Sequence, residues 1–129
     1  MNKCRILVVD DEHEVLAVMK DLLEIRGYAV TTSDNGAKAI TIAQTKQPDV
    51  IICDISMPHV DGGQVAQALK DDPRTSHIPI IFLTGLLARG NEENKKHLVG
   101  GNVMFAKPCD FDELTAQIEK MLLASSTKH

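Results

Sequence analysis

The sequence predicts an α/β domain built on a parallel sheet with helices on both faces. Three observations support this. Four runs of four or five apolar residues have the length of buried strands rather than buried helices. Helical periodicity appears between the runs, so strand and helix alternate five times over 129 residues. A polar residue that can handle phosphate or a metal ion follows each run, and the runs are Ile6–Val9, Val50–Cys53, Ile80–Leu83 and Val103–Ala106.

In the first half of the chain, strand-like segments alternate clearly with segments of helical periodicity. After the first run, a helix is predicted from five apolar residues at i, i+3, i+4 and i+7 spacing, and Gly27 is placed to end it. Ala29–Ser33, rich in β-branched residues, is the second strand. A second helix around Ala37, Ile40 and Ala43 ends at Pro48. The five residues of the first helical stripe are Val15, Val18, Met19, Leu22 and Ile25.

Three more helices follow the remaining strands. Asp61 is placed to cap the third, which carries Val65, Ala66 and Leu69 and stops at Asp72-Pro73. A fourth is predicted near Glu92 to Leu98 from its order of acidic then basic residues, with Gly100-Gly101 ending it. The fifth begins at a capping-box pattern and has a five-residue apolar face, made of Phe111, Leu114, Ile118, Met121 and Leu122. We expect one domain over residues 1–124 and a tail over 125–129.

Composition excludes several classes of function. The chain is 43% hydrophobic and 25% charged, as in globular proteins. Its 18 acidic residues outnumber 14 basic ones, so direct nucleic-acid binding is not expected. Three cysteines without C-x-x-C spacing argue against disulfides and zinc. Because no secretory signal and no membrane-length apolar run is present, we expect a cytoplasmic location without membrane insertion.

The polar residues that follow the strands are expected to meet. Carboxyl ends of parallel strands share one edge of the sheet, where ligands of open α/β sheets bind. Asp10, Asp11, Asp54, Thr84 and Lys107 all fall at that edge. Taken singly, each has a structural explanation as a helix cap, a strand residue or a surface lysine. Their shared position favours a functional site.

The chemistry of this set suits a phosphoryl group. Three neighbouring carboxylates repel one another unless a cation joins them, and Mg²⁺ prefers such oxygen ligands. A hydroxyl and an ammonium group beside the cation would neutralise phosphoryl oxygens, and Asp54 would be the nucleophile. The glycine-rich signatures of dinucleotide and nucleoside triphosphate sites are absent after the first strand, where Asp10 and Asp11 stand instead.

Four motifs in this order and spacing resemble the receiver domains of two-component response regulators, in particular the single-domain chemotaxis-type members. The resemblance covers nearly the whole chain. It implies a doubly wound (βα)5 fold of the flavodoxin-like type, a five-stranded parallel sheet with strand order 2-1-3-4-5. The motifs are I-L-V-V-D-D-E at 6–12, V-I-I-C-D-I-S-M-P-H-V-D-G at 50–62, I-I-F-L-T-G at 80–85 and F-A-K-P at 105–108.

The resemblance assigns a metal site and a phosphoryl site. Asp54 would be the phosphoacceptor and, with Asp11, a direct ligand of Mg²⁺ or Mn²⁺. Ser56 would bind the ion through its backbone carbonyl and Asp10 through a water. Thr84 and Lys107 would bind the phosphoryl oxygens. All of these are residues of the family motifs as they stand in this sequence.

The resemblance also implies partners. A histidine kinase or a histidine phosphotransfer protein would supply the phosphoryl group. A target protein would bind the face made by the fourth helix, fifth strand and fifth helix, and the chain would be a monomer or a weak phosphorylation-dependent dimer. Met104 stands where the family usually has Tyr or Phe on that strand. We expect a signalling module, not an enzyme.

Two alternatives stay open from the residues. A Mg²⁺-dependent phosphohydrolase with an aspartyl intermediate would use the same carboxylates, although such enzymes commonly carry a second Asp where Ser56 stands. A degenerate receiver that only docks other proteins would be expected to lose acidic or lysine positions, and none is lost.

Overall fold

The computed structural model describes residues 4–54, 62–84, 96–99, 102–106 and 111–126. Among these, no helix is both long and apolar enough to cross a membrane. Strands and helices alternate through the first four strands, as predicted. In chain order the elements are β1 (Arg5–Val9), α1 (His13–Ile25), β2 (Ala29–Ser33), α2 (Gly36–Lys46), β3 (Val50–Asp54), α3 (Gly62–Asp71), β4 (Ile80–Thr84), β5 (Lys96–Val99), β6 (Asn102–Ala106) and α4 (Phe111–Ser126).

The sheet has the strand order β2-β1-β3-β4-β6-β5. Every pair from β2 to β6 is parallel, and only β5 runs antiparallel, against β6. Since β6 is the predicted fifth strand, the parallel part of the sheet has the predicted order 2-1-3-4-5. The predicted α/β fold class is therefore confirmed, with β5 as an additional edge strand.

Two hydrophobic cores lie on opposite faces of the sheet. Successive residues of a strand point to opposite faces, so Leu7 and Val9 pack under α2 and α3, while Ile6 and Val8 pack under α1 and α4. Strands covered on both faces are apolar along their whole length, and this explains the uninterrupted run Val50–Cys53. The helices thus hold the central strands rigidly beneath the edge where the polar residues follow.

The buried face of α1 differs from the predicted stripe. Leu16, Met19 and Leu23 are its buried residues. Val18 is 56%, Leu22 37% and Ile25 81% exposed, although all three belong to the apolar stripe that predicted the helix. The buried residues and the predicted stripe both follow helical spacing, and only Met19 belongs to both sets. Apolar residues cover about half of this helix, so periodicity alone could not say which stripe meets the sheet and α4.

The predicted fourth helix is also corrected. Its residues from Lys96 onward form β5, which pairs with β6, and residues 92–95 lie outside the described part of the chain. The prediction rested on charge order, a weak preference compared with strand pairing. In the sequence, Gly100-Gly101 stands between the paired residues Val99 and Asn102, and a Gly-Gly pair between strands is a hairpin signal; the two glycines lie outside the described residues.

The last helix packs as predicted and is tied to α1. Leu114 and Ile118 are fully buried, and the other three residues of its predicted apolar face pack against the same core. Arg26 donates to Asp112 Oδ1 at 2.7 Å and to Thr115 Oγ1 at 3.0 Å, and its guanidinium lies 5.0 Å from the Phe111 ring centroid. The helix continues to Ser126, two residues beyond the expected domain boundary.

Candidate functional site

The strand register brings the predicted site residues to one edge of the sheet. Val9 pairs with Cys53, so Asp10 and Asp54 follow at the same level on adjacent strands. Asp54 pairs with Leu83, and Thr84 ends β4 opposite Ala106. Neighbouring parallel strands therefore finish within one residue of each other, and all four finish within two.

Two of the carboxylates are almost entirely buried. Asp10 is 1% and Asp54 3% exposed. The backbone N–H of Asp10 donates to the Ser33 carbonyl at 3.1 Å, and its Oδ1 accepts the backbone N–H of Glu12 at 2.9 Å. The Asp54 carbonyl lies 3.4 Å from the Cys53 thiol, which donates to it. Burying a carboxylate costs free energy unless hydrogen bonds or a cation compensate, so this edge has the character of a functional site.

Asp10, Asp11 and Glu12 form an acidic cluster in which one oxygen of each lies within 4.8 Å of the others. Asp54 is not one of the three, although sequence analysis grouped it with Asp10 and Asp11. Glu12 was missed, and its position directly after them in the same motif was the available signal. Because clustered carboxylates repel each other, this oxygen-rich set suits a hard divalent cation.

Helix capping, the structural explanation that the sequence offered for Asp10 and Asp11, is not supported by the end of α1. Glu12, rather than Asp10 or Asp11, is the N-cap residue of α1, and its side chain makes no capping hydrogen bond. The helix nevertheless points its N-terminus at the cluster, and the partial positive charge there favours negative groups. The three acids thus lie where a helix end and a cation would both stabilise them.

Three predicted site residues cannot be placed in the same detail. The backbone of Thr84 ends β4, and its side chain is not among the described ones. Ser56 and Lys107 lie outside the described residues. The structure therefore brings together Asp10, Asp11 and the end of β3.

Asp34, which follows β2, is paired with the first residue of α1 and with a lysine of α2. His13 Nε2 lies 2.9 Å from Asp34 Oδ2, and Lys38 Nζ lies 3.9 Å from Asp34 Oδ1. The hydrogen bond from His13, with the charge of Lys38, lowers the pKa of Asp34 from its usual value. Asp34 is thereby kept ionised and engaged by its neighbours, apart from the acidic cluster.

Comparison with known proteins places these features in a family. The family model described as response regulator receiver domain matches residues 6–119. Response regulator PleD of Caulobacter vibrioides is 36% identical over 117 residues, which are 91% of this chain and 26% of PleD. The polar-differentiation response regulator DivK of Brucella anthropi is 32% identical over 91% of this chain and 94% of its own length.

One solved structure is similar to this chain in both fold and sequence. The receiver domain of the sensor histidine kinase PA1611 from Pseudomonas aeruginosa superimposes with a TM-score of 0.80 at 28% identity, over 94% of this chain and 98% of that domain. That structure holds a magnesium ion in its active site cleft. The chain thus spans about a quarter of PleD and nearly all of DivK and of this receiver domain.

Proposed function

The chain belongs to the response regulator receiver domain family of two-component signal transduction, and on this basis we propose that Asp54 is its phosphoacceptor. Receiver domains are signalling modules that interact with histidine kinases and phosphotransfer proteins, and they bind Mg²⁺ in an acidic pocket. The phosphohydrolase alternative is not favoured by this family membership. The chain would therefore act through its phosphorylated state rather than by turning over a substrate.

One observation carries the proposal: Asp10 and Asp54 end adjacent strands at the same level and are both almost fully buried. A carboxylate held rigidly at a strand end, in surroundings of low dielectric, is positioned for in-line attack on a bound phosphoryl group. An Asp54 oxygen would attack the phosphorus of a phosphohistidine. A P–O bond forms to Asp54 as the P–N bond to the imidazole breaks, and the imidazole nitrogen keeps the electron pair.

The donor set fits Mg²⁺, with Mn²⁺ as a substitute of the same preference for oxygen. Asp11 and Asp54 would hold the ion directly, Ser56 through its backbone carbonyl and Asp10 through a water. When bound, the ion neutralises the carboxylates and the phosphoryl oxygens. The acidic cluster of Asp10, Asp11 and Glu12 supports such a site, as does the magnesium ion in the related PA1611 domain.

Thr84 and Lys107 would complete the phosphoryl site. Thr84 stands at the end of β4, one residue beyond the level of Asp54. Lys107 follows Ala106, the residue that pairs with Thr84. A hydroxyl and an ammonium at these positions would bind phosphoryl oxygens and stabilise the charge that spreads over them during transfer.

The remaining assignments concern the module as a whole. We propose that the receiver domain comprises the predicted residues 1–124 together with the last two residues of α4, which ends at Ser126. Its donor would be a histidine kinase or histidine phosphotransfer protein, and its working location would be the cytoplasm. Its target protein would bind the face to which β6 and α4 contribute, without the predicted fourth helix, since Lys96–Val99 form β5. Since the chain matches only part of PleD, the activity and partners of any longer protein are equally proposals.

Intact mass measurement tests the central assignment. The chain is incubated with Mg²⁺ and acetyl phosphate, and wild type is compared with Asp54→Asn and with Asp21→Asn, an exposed carboxylate on α1. We expect one phosphoryl adduct on wild type and on Asp21→Asn, and none on Asp54→Asn or when EDTA replaces Mg²⁺. An adduct that persists in Asp54→Asn would place the acceptor elsewhere.

A second measurement tests the metal ligands. Mg²⁺ affinity, followed by the amide chemical shifts of β1 and α1, should fall strongly in Asp11→Asn because a direct ligand is lost. Glu12→Gln should change affinity only modestly, through the loss of one nearby charge. If Glu12→Gln weakened binding more than Asp11→Asn, the ligand set would have to be reassigned.

A further inference from the structure

The outer edge of β2 is open. β2 ends the strand order of the sheet, and among the described residues no strand pairs with its outer side. The Ala29 N–H donates to the Cys4 carbonyl at 2.9 Å, and the Ser33 carbonyl accepts from Asp10 at 3.1 Å. Because successive residues alternate, Ala29, Thr31 and Ser33 turn their backbone groups toward β1. Val30 and Thr32 therefore direct theirs away from the sheet.

This edge lacks the usual protection against strand pairing. Natural edge strands are blunted by charged residues, proline or bulges. β2 reads Ala-Val-Thr-Thr-Ser, without charge, proline or glycine. Its β-branched residues favour extended backbone. The strand is therefore suited to accept a further strand.

A trough follows the open edge. One cavity of about 140 Å³ borders Ala29–Thr31 together with Arg5–Leu7 of β1, so it lies over these two strands on the side of α2, and a second of about 430 Å³ borders Thr32 and Ser33. Ile42 of α2 lines both, so the cavities are consecutive along the strand. The second is walled by Leu16 of α1 on one face of the sheet and by Ile42 on the other. Such a volume at a sheet edge accommodates the side chains of an extended segment.

The trough is basic in an acidic chain. Lys20, Lys38, Arg5 and Lys46 line its two cavities, with His13 at one end. Asp34 is the single acid among the lining residues. The chain as a whole has a net charge of −4. This local reversal of sign favours an acidic ligand and disfavours association of two like copies through this edge.

We propose that the open edge of β2 binds an extended acidic peptide segment of a partner protein by β-strand addition. The segment would hydrogen-bond with the outward N–H and C=O groups of Val30 and Thr32. Its alternate side chains would enter the trough, and its carboxylates would meet Lys38 and Lys46. The site uses none of the residues proposed to bind the metal ion or the phosphoryl group, and a bound segment would enlarge the sheet by one strand.

The probe is a seven-residue peptide of alternating threonine and valine with a glutamate at each end, acetylated and amidated. It is added to the full chain, and amide hydrogen exchange is followed by NMR. We expect saturable binding that slows exchange of the Val30 and Thr32 amides selectively, because these are the outward donors. Replacing both glutamates by lysines should abolish binding.

Variants separate backbone pairing from charge. Thr32→Pro removes one outward N–H without touching the ladder to β1, and binding should be lost. Lys38→Gln with Lys46→Gln should weaken binding about tenfold, whereas Lys120→Gln, an exposed lysine of α4, should not. If Thr32→Pro does not fold, probes N-methylated at alternate residues replace it: one methylation set should block binding and the other should not.

Three results would overturn the proposal. The first is unchanged exchange at Val30 and Thr32 under saturating peptide. The second is equal binding of the lysine-ended peptide, which would remove the charge selectivity. The third is protection that appears without peptide and grows with protein concentration, which would assign the edge to a second copy of the chain.

Discussion

The rotation of α1 can be tested by comparing two adjacent leucines. Leu23 is fully buried in the core between α1, α4 and the sheet, whereas Leu22 is 37% exposed. The apolar stripe that predicts this helix from the sequence includes Leu22 and not Leu23. Leu23→Ala and Leu22→Ala therefore distinguish the two faces of the helix directly, since the substitutions are chemically identical and share the same helix propensity.

The expected costs follow from burial. Leu23→Ala removes buried methyl groups and leaves a cavity among close-packed neighbours, so unfolding free energy should fall by about 3 to 5 kcal/mol. At Leu22 only part of the side chain is withdrawn from water and solvent fills the space, so the loss should be about 1 kcal/mol. Ile25→Ala, at an 81% exposed position, should stay within about 0.5 kcal/mol of wild type.

Urea unfolding followed by far-ultraviolet circular dichroism is the suitable assay, because the chain has no tryptophan and one tyrosine. The midpoint should shift at constant m-value if the transition is two-state. A loss at Leu22→Ala equal to or larger than that at Leu23→Ala would show that α1 packs with the other stripe inward, and the account of this helix would be wrong.

Three further predictions concern contacts between elements. Arg26→Met should lower the free energy of unfolding by about 1 to 2 kcal/mol, because its contacts to the first turn of α4 are lost. A double-mutant cycle with Asp112→Asn should assign less than half of this loss to the exposed ion pair between Arg26 and Asp112. Hydrogen bonds from Arg74 lower the pKa of Asp72 from 3.8 to about 2, so its stabilising contribution is complete above about pH 3.8 and is lost as pH falls toward 2. A carbon-detected NMR titration should show this pKa, and Arg74→Gln should raise it. Asn35→Ala should lower the free energy of unfolding, measured with urea, by about 1 kcal/mol, because Asn35 is the N-cap of α2 and its side chain accepts a hydrogen bond from the Lys38 N–H at 3.1 Å. Asn35→Asp should retain most of the wild-type stability, because a carboxylate can accept the same hydrogen bond.

Each of these has a clear contrary result. An Arg26→Met variant as stable as wild type would show that the contacts to α4 are not retained in solution. An Asp72 pKa that Arg74→Gln leaves unchanged would remove Arg74 as the cause. Equal stability of Asn35→Ala and wild type would mean that solvent replaces the cap without cost.

Much of the fold could be predicted from the sequence because the strands are short, apolar and buried on both faces. Val50–Asp54 needs no knowledge of its neighbours to be recognised, and its length fixes where Asp54 lies relative to Asp10. The prediction for α1 failed because its outcome depends on contacts distant in sequence. The inward stripe of α1 is selected by Leu114 and Ile118 of α4, which lie about ninety residues further along the chain.

The candidate site, too, was predicted in part from the sequence and decided in part by the structure. Motif spacing predicted which residues stand at strand ends, and on this basis Asp10, Asp11, Asp54, Thr84 and Lys107 were predicted to form one group. Only the tertiary structure decided that Glu12 shares the acidic cluster with Asp10 and Asp11, because side-chain oxygens meet according to the turn from β1 into α1. Strand length, likewise, is determined by the local sequence, because each strand is one apolar run. The open edge of β2 and the basic trough beside it form only when α1 and α2 pack on opposite faces of the sheet.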